Sequence, residues 1–341
     1  MINAAIVGLG WWGKTLVESL AEGSDAMRFT ALQTRTVNDD VKAFAKQYSL
    51  KLADSYEAVL ADKSIDAVVL ATPPSGHLRQ ITAAAAAGKH VFCEKPFTFS
   101  KAEAQAAVDA VRKAGKVVGV GYNRRFHPEM VKLREKIKAG ELGVIQHVEC
   151  TMTFPNALFL KPTAWRAMKD EAPVGGLAPL GVHAVDAMID LCGEFDHVFC
   201  QSFRRVLDGE TDDTSSMLFR MKAGMSGYLG TVTTTGPGFS IEVFGSKGRY
   251  RLEGVTHVAG ASSEERRTRL FGACKFTPVK GPVEVWEADK LDIIRTCFES
   301  FARAADDGAP FPITPEQIVH GSSACEAIIR SAGSGKTEKI S

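Results

Sequence analysis

Up to about residue 122, short β-branched runs alternate with stretches of helical periodicity. The runs Asn3–Val7, Arg28–Gln33, Asp66–Ala71, His90–Cys93 and Val117–Gly121 read as strands. Between them Gly13–Ala21, Asn38–Tyr48, Ser55–Ala61, Gly76–Ala87 and Ser100–Ala114 read as helices. Ser100 followed three residues later by Glu103 is a capping-box signature, and Gly88 stops the alanine-rich helix before it. Strand–helix alternation with short joints predicts a parallel, doubly wound sheet.

After Tyr122 the pattern changes. One helix, Pro128–Ala139, precedes longer and less regular strands: Ile145–Phe154, His197–Arg205, Ser215–Met221, Gly227–Thr234, Ser240–Phe244 and Tyr250–Glu253. Joints such as Lys222-Ala223-Gly224 and Gly245-Ser246-Lys247-Gly248 suit hairpins, so this sheet is expected to be largely antiparallel and open. Asp289–Asp306 and Pro315–Ser331 read as closing helices. The expected fold class is therefore α/β followed by α+β. Its domains are a Rossmann domain at 1–122 and a substrate-binding and oligomerisation domain at 123–341, whose last helices pack back on the first.

Composition narrows the functional classes. A chain of 341 residues exceeds one ordinary core. Its formal net charge of +1 gives no electrostatic footprint for nucleic acid or an anionic membrane. No apolar run reaches the roughly 18 residues of a membrane span. The N-terminus enters a strand directly, without the pattern of a secretory leader. The seven cysteines are dispersed without a C-x-x-C pair, as in reduced cytoplasmic proteins. The eight histidines are isolated, so no metal is expected.

Gly8-Leu9-Gly10-Trp11-Trp12-Gly13 fits G-x-G-x-x-G between a strand and a helix, the context of a dinucleotide site. Gly8 would make the tight turn, Gly10 would admit the pyrophosphate, and Gly13 would let helix and strand pack. Trp11 and Trp12 either cover the cofactor or pack between domains. An NAD site usually places an acid about 20 residues further on. Here the second strand ends Gln33-Thr34-Arg35-Thr36. Arg35, with the Thr34 hydroxyl, suits a 2′-phosphate, which favours NADP while leaving NAD open.

Glu94-Lys95-Pro96 follows the strand His90–Cys93 and puts a cation at its carboxyl end, where open parallel sheets bind ligands. An ammonium there can stabilise a developing alkoxide beside a nicotinamide. Alcohol oxidation also needs a base near neutral pH, a role that suits a histidine.

These pieces resemble the Gfo/Idh/MocA oxidoreductases. The resemblance rests on Gly8–Gly13, Ala71-Thr72-Pro73-Pro74 with His77, Gly88-Lys89-His90-Val91, Glu94-Lys95-Pro96, Trp165-Arg166, Gly175-Gly176, Gly181-Val182-His183 with Asp186, and Phe244–Gly248. It implies hydride transfer between a nicotinamide and a sugar or polyol carbon, with Lys95 orienting the oxygen and His183 exchanging its proton. It also implies a homodimer or homotetramer built through the second sheet. By the same analogy Thr72, Pro73 and His77 line the nicotinamide side, and Glu94 is a cofactor-side or structural contact. Asn123, Trp165 and Arg166 face substrate, and Arg124 and Arg125 serve packing and ion pairs.

One departure stands out. Many members carry an aspartate where this chain has Pro179, four residues before His183. Asp186, one helical turn beyond His183, either partners the imidazole or keeps a family role of its own in the substrate site. Two other readings stay open: a non-catalytic cofactor or metabolite sensor of the same fold, and a reductase of an aromatic substrate, for which the Phe154–Phe159 stretch is suggestive.

Overall fold

Ala67, Val68, Val69 and Leu70 are all wholly buried, as in a parallel strand covered on both faces. The computed structural model describes residues 1–161, 163–255 and 261–341. The chain divides into two compact units, Met1–Asn123 with Asp292–Val319, and Arg124–Leu291 with His320–Ser341.

The first unit runs β1 (Ile2–Val7), α1 (Trp11–Glu18), β2 (Met27–Gln33), α2 (Asp39–Gln47), β3 (Lys51–Leu52), α3 (Tyr56–Ala61), β4 (Ala67–Leu70), α4 (His77–Ala86), β5 (His90–Cys93), α5 (Lys101–Lys113) and β6 (Val118–Val120). Its sheet has the order β3-β2-β1-β4-β5-β6 and every pairing is parallel. That is the doubly wound sheet expected from the alternation. The two-residue β3, with both side chains exposed, carries no hydrophobic run and escapes the sequence pattern. Ser100 accepts the Glu103 N–H at 3.5 Å, supplying one half of the anticipated capping box.

The second unit begins with α6 (Pro128–Lys138) and β7 (Ile145–Thr153), followed by α7 (Val182–Cys192) and the strands β8 (Phe195–Phe203), β9 (Thr214–Met221), β10 (Ser226–Val232), β11 (Gly238–Gly245) and β12 (Gly248–Gly254). Then come α8 (Ser263–Thr268), β13 (Phe271–Pro278) and β14 (Glu284–Glu287). Next, α9 (Ile293–Asp307) belongs to the first unit, while α10 (Pro315–Ser334) is divided between the units and β15 (Glu338–Lys339) lies in the second. The second sheet has nine strands in the order β14-β13-β12-β11-β7-β10-β9-β8-β15, antiparallel except for the β7–β10 pair. Three of its strands (β13, β14 and β15) go beyond the sequence reading. β14 and β15 are short edge strands that carry charge, and β13 beside β14 carries glycine and proline in place of clean alternation. On β7 the buried Val148, Cys150 and Met152 alternate with the exposed Glu149 and Thr151, so one face of the sheet is covered and the other is open.

Two aromatic side chains of α9 complete the first unit's core. Phe298 packs on Phe92 and Phe29 with ring centroids at 4.8 and 5.7 Å, and Phe301 meets Phe92 at 5.4 Å. Gly119 on β6 makes room for them: a Cβ there would stand 2.8 Å from the Phe301 ring. The core of a nucleotide-binding sheet is thus finished by a helix from late in the chain.

In the second unit, His127 caps α6 through Nδ1, which accepts the Glu129 N–H at 3.2 Å. The ring is wholly buried and stands edge-on to Phe271. Burial lowers its pKa to about 4, with nearby Glu129 and Asp289 opposing the shift. The folded value lies below the unfolded value of about 6.5, so the contribution to stability is complete above pH 6.5. It is lost as pH falls toward 4, because only the unfolded chain takes up the proton. Denaturant titrations at pH 7 and pH 5 are expected to differ by about 2 kcal/mol through this group. His127→Gln should flatten that part of the pH dependence.

Candidate active site

The turn after β1 is made by glycines with distinct jobs. Gly8 has φ +96°, and a Cβ there would lie 2.6 Å from the Ala71 carbonyl oxygen. Its N–H donates to Gln33 O at 2.8 Å, which ties the exit of β1 to the exit of β2. A Cβ on Gly13 would come within 2.3 Å of Gly8 O, so only glycine lets α1 start this close to the turn. Gly10 differs: a Cβ there would meet nothing within 4 Å. It caps α1 with no side-chain oxygen over the first N–H groups. An open cradle at a helix N-terminus is what a pyrophosphate requires, and these residues fit one.

Trp11 is 47% exposed and stands edge-on to the half-buried Trp12, with ring centroids at 5.3 Å. Thr34 and Arg35 follow directly on β2, at the strand exit held by Gly8. Arg35 is exposed and has no ion-pair or hydrogen-bond partner among the described residues.

The exits of β4 and β5 are joined through side chains. Thr72 Oγ1 donates to Gln80 Oε1 at 2.6 Å, while Pro73 leads into the short turn before α4. His77, first residue of α4, is wholly buried. Its Nε2 lies 3.0 Å from Thr72 O, and its Nδ1 lies 3.0 Å from both Pro96 O and Phe97 O. The ring is thus turned onto main-chain carbonyls. The Glu94 carboxylate is buried against Gly121, where a Cβ would sit 2.5 Å from Oε1. It also accepts the Lys95 N–H at 3.2 Å. Lys95 follows, half-buried, with a cis peptide bond to Pro96. Asn123 is buried just after the exit of β6, in the short 3₁₀ turn Asn123–Phe126.

In the second unit, Val174 and Gly175 both have positive φ, +54° and +51°. A Cβ on Gly175 would clash with Asp212 O, and one on Gly176 would lie 2.2 Å from Thr231 Oγ1. This tight passage feeds a π-helical turn, Leu177–Gly181, which contains Pro179 and runs straight into α7. π-turns are rare and frequent at functional sites. His183 is the second residue of α7 and is 7% exposed.

Asp186, one turn further along α7, is engaged by Arg125. Arg125 donates to it from Nε at 2.8 Å and from Nη2 at 2.6 Å, and the pair is buried. Burial raises the Asp186 pKa to about 6 while Arg125 opposes the rise, so the carboxylate stays ionised at neutral pH. Asp190 extends the cluster, accepting from Arg125 at 3.4 Å and from Arg134 at 2.7 Å. Arg124 lies over Phe239 at 4.5 Å, and Arg166 stacks on Trp165 at 4.2 Å.

Within the first unit the structure therefore gathers the Gly8–Gly13 turn, Thr34–Arg35, Thr72–Pro73 and Glu94–Lys95 at the carboxyl ends of adjacent parallel strands. Sequence reasoning missed Gln80, Gly121 and the Asp186–Arg125 pairing. The Val120-Gly121-Tyr122 and Asn123–Phe126 stretch was visible, but nothing local shows which carboxylate its glycine and arginines meet. Among the described residues no cluster of histidine, cysteine and acidic side chains could hold a metal ion.

The glycine cradle after β1 and the lysine after β5 lie at the same end of one doubly wound sheet, with β4 between them. Residues 2–122 match the model of the oxidoreductase family with an NAD-binding Rossmann fold, and residues 130–251 match the Gfo/Idh/MocA C-terminal domain. The chain belongs to the Gfo/Idh/MocA family. It is 33% identical to the uncharacterized oxidoreductase YrbE of Bacillus subtilis over 159 residues, a match spanning 45% of this chain and 45% of that one. Myo-inositol 2-dehydrogenase of Thermotoga maritima is 27% identical over 288 residues, covering 79% of this chain and 80% of its own. Among solved structures, levoglucosan dehydrogenase in complex with NADH and L-sorbose superposes with a TM-score of 0.85 at 19% identity, over 100% of this chain and 99% of the other.

The buried ion cluster gives a stability test. Asp186→Asn leaves the Arg125 guanidinium buried and half-satisfied, and should cost about 3–5 kcal/mol in denaturant unfolding. Loss within 1 kcal/mol would show that the cluster does not hold the start of α7.

Proposed function

We propose that the protein is an NAD(P)-dependent oxidoreductase that moves a hydride between the nicotinamide and a carbinol or carbonyl carbon of a sugar or polyol. The observation that carries this reading is Lys95 at the exit of β5, one strand from the Gly8–Ala71 contact that shapes the coenzyme cradle. Residues 1–122 form the coenzyme domain in this reading, and residues 123–341 the substrate and oligomerisation domain.

The N–H groups at Gly10–Gly13 hold the pyrophosphate, with Trp11 and Trp12 beside it. Thr34 and Arg35 hold the adenosine ribose, and the exposed, unengaged Arg35 favours a 2′-phosphate, hence NADP over NAD. Thr72, Pro73 and Glu94 border the nicotinamide. Bound coenzyme supplies the hydride acceptor at its ring carbon. In the oxidising direction Lys95 donates a hydrogen bond to the substrate oxygen and stabilises charge developing on it. His183 takes the hydroxyl proton, and the substrate C–H leaves as hydride, so the alcohol becomes a carbonyl and the coenzyme is reduced. Asn123, Trp165 and Arg166 bind the remaining substrate oxygens. The Arg125–Asp186–Asp190 cluster secures the helix that carries His183.

The open face of the second sheet, with Leu218 56% and Val285 69% exposed, supports a homo-oligomer formed through it. All seven cysteines are buried free thiols, which suits a reducing cytoplasm.

Lys95→Met and His183→Ala should each lower kcat/KM for the reactive polyol by about 10²–10⁴, with coenzyme affinity little changed. Coenzyme binding without turnover on any member of a sugar, ketose and inositol panel would favour a sensor instead. Arg35→Ala should raise KM for NADP⁺ about 10–100-fold and leave KM for NAD⁺ nearly unchanged. Equal effects on both coenzymes would overturn the NADP assignment.

A further inference from the structure

One straight row of side chains crosses the open face of the second sheet. The strand register lines up Val285, Lys275, Arg251, Glu242, Glu149 and Tyr228 on β14, β13, β12, β11, β7 and β10 in turn. Residues opposite one another on neighbouring strands share a face, so the row reads apolar, cation, cation, anion, anion, aromatic. Glu242 lies 3.4 Å from both Arg249 and Arg251. Lys275 and Glu149 are exposed, and Lys275 has no ion-pair partner among the described residues. Within one chain the row therefore sets Lys275 beside Arg251 and Glu242 beside Glu149. Like charges directly opposite on paired strands cost stability, and opposite charges from outside relieve that cost.

We infer that this row is the seam of a two-fold contact with a second copy of the chain, its axis running along the strands between β11 and β12. Such an axis reverses the strand order and keeps the row level. Arg251 then faces the partner's Glu242, Lys275 faces the partner's Glu149, and Val285 faces the partner's Tyr228. Moving the axis one strand either way sets Lys275 on the partner's Arg251, or Glu242 on the partner's Glu149. An axis across the strands through the row sets each charge on its own kind. Of these placements only the first pairs unlike charges, so the row is complementary to itself. Packed sheets stand about 10 Å apart, a gap that long charged side chains bridge. The six strands, about 4.8 Å apart and about 20 Å long, offer roughly 600 Å² per copy. A pair would bury about 1,200 Å², which is enough for a stable interface. The inference rests on the proposed homo-oligomer through this sheet and adds its symmetry and register.

In one chain Lys275 and Glu149 are three strands, about 14 Å, apart, too far for a zero-length link. Carbodiimide treatment of mixed ordinary and ¹⁵N-labelled wild-type protein should give a Lys275–Glu149 amide with one labelled and one unlabelled half. A dimer that forms without this mixed-label link overturns the register. Lys275→Glu and Glu149→Lys should each raise the dimer dissociation constant about 10–100-fold in sedimentation equilibrium. Mixed in equal amounts, the two variants should assemble as the heterodimer, where both pairs are again unlike. Random pairing in that mixture overturns the register and leaves the homo-oligomer standing. Wild-type protein that is monomeric at about 100 μM overturns both.

Discussion

The Ala71 carbonyl leaves no space for a side chain at Gly8, and this contact between the exits of β1 and β4 organises the coenzyme half of the molecule. It brings the glycine turn against the end of the neighbouring strand and directs α1 so that its first N–H groups open outward at Gly10. The adjacent exits follow suit. Gln33 O takes the Gly8 N–H, which places Thr34 and Arg35 at the cradle. His77 and Gln80 hold Thr72, and His77 also reaches the segment after Lys95. Chemistry at the end of a parallel sheet needs several loops to converge, and here main-chain hydrogen bonds and absent Cβ atoms bring about that convergence.

The second unit uses electrostatics where the first uses close packing. The helix that carries His183 begins in a π-turn with a proline inside, which is poor local material for an exact side-chain placement. Arg125 compensates by gripping Asp186 and Asp190 from the adjoining segment, and Arg134 adds a second hold on Asp190. Burying so many charges is costly unless each is paired in good geometry. The bidentate fork at Asp186 meets that condition, and its carboxylate is fully occupied by it. A residue that looks from spacing like a partner for His183 is, in three dimensions, part of the foundation beneath it.

Family membership and chemistry reach different depths. The matched models extend over both halves of the chain and establish an NAD-binding oxidoreductase family. Substrate choice depends on individual side chains, at a finer scale than the matched family. The reaction type is therefore more closely constrained than the molecule on which it acts.

Sequence alone determined the parallel sheet, the glycine turn and the lysine at a strand exit, because each is written in local signals. Wholly apolar strands such as Ala67–Leu70 announce burial on both faces, and glycine spacing announces a turn that side chains would block. The open, largely antiparallel second sheet was legible in outline from alternation and hairpin joints, but β13 and the edge strands β14 and β15 were not. Tertiary structure decided the rest. The pairing of Asp186 with Arg125 joins residues 61 positions apart, and the aromatic core of the first unit waits for Phe298 and Phe301. The inward turn of His77 depends on carbonyls that lie 19 and 20 residues ahead of it. Partners so distant in sequence leave no periodic trace, since their meeting is fixed by how the elements pack and by the demand that every buried polar group find a partner.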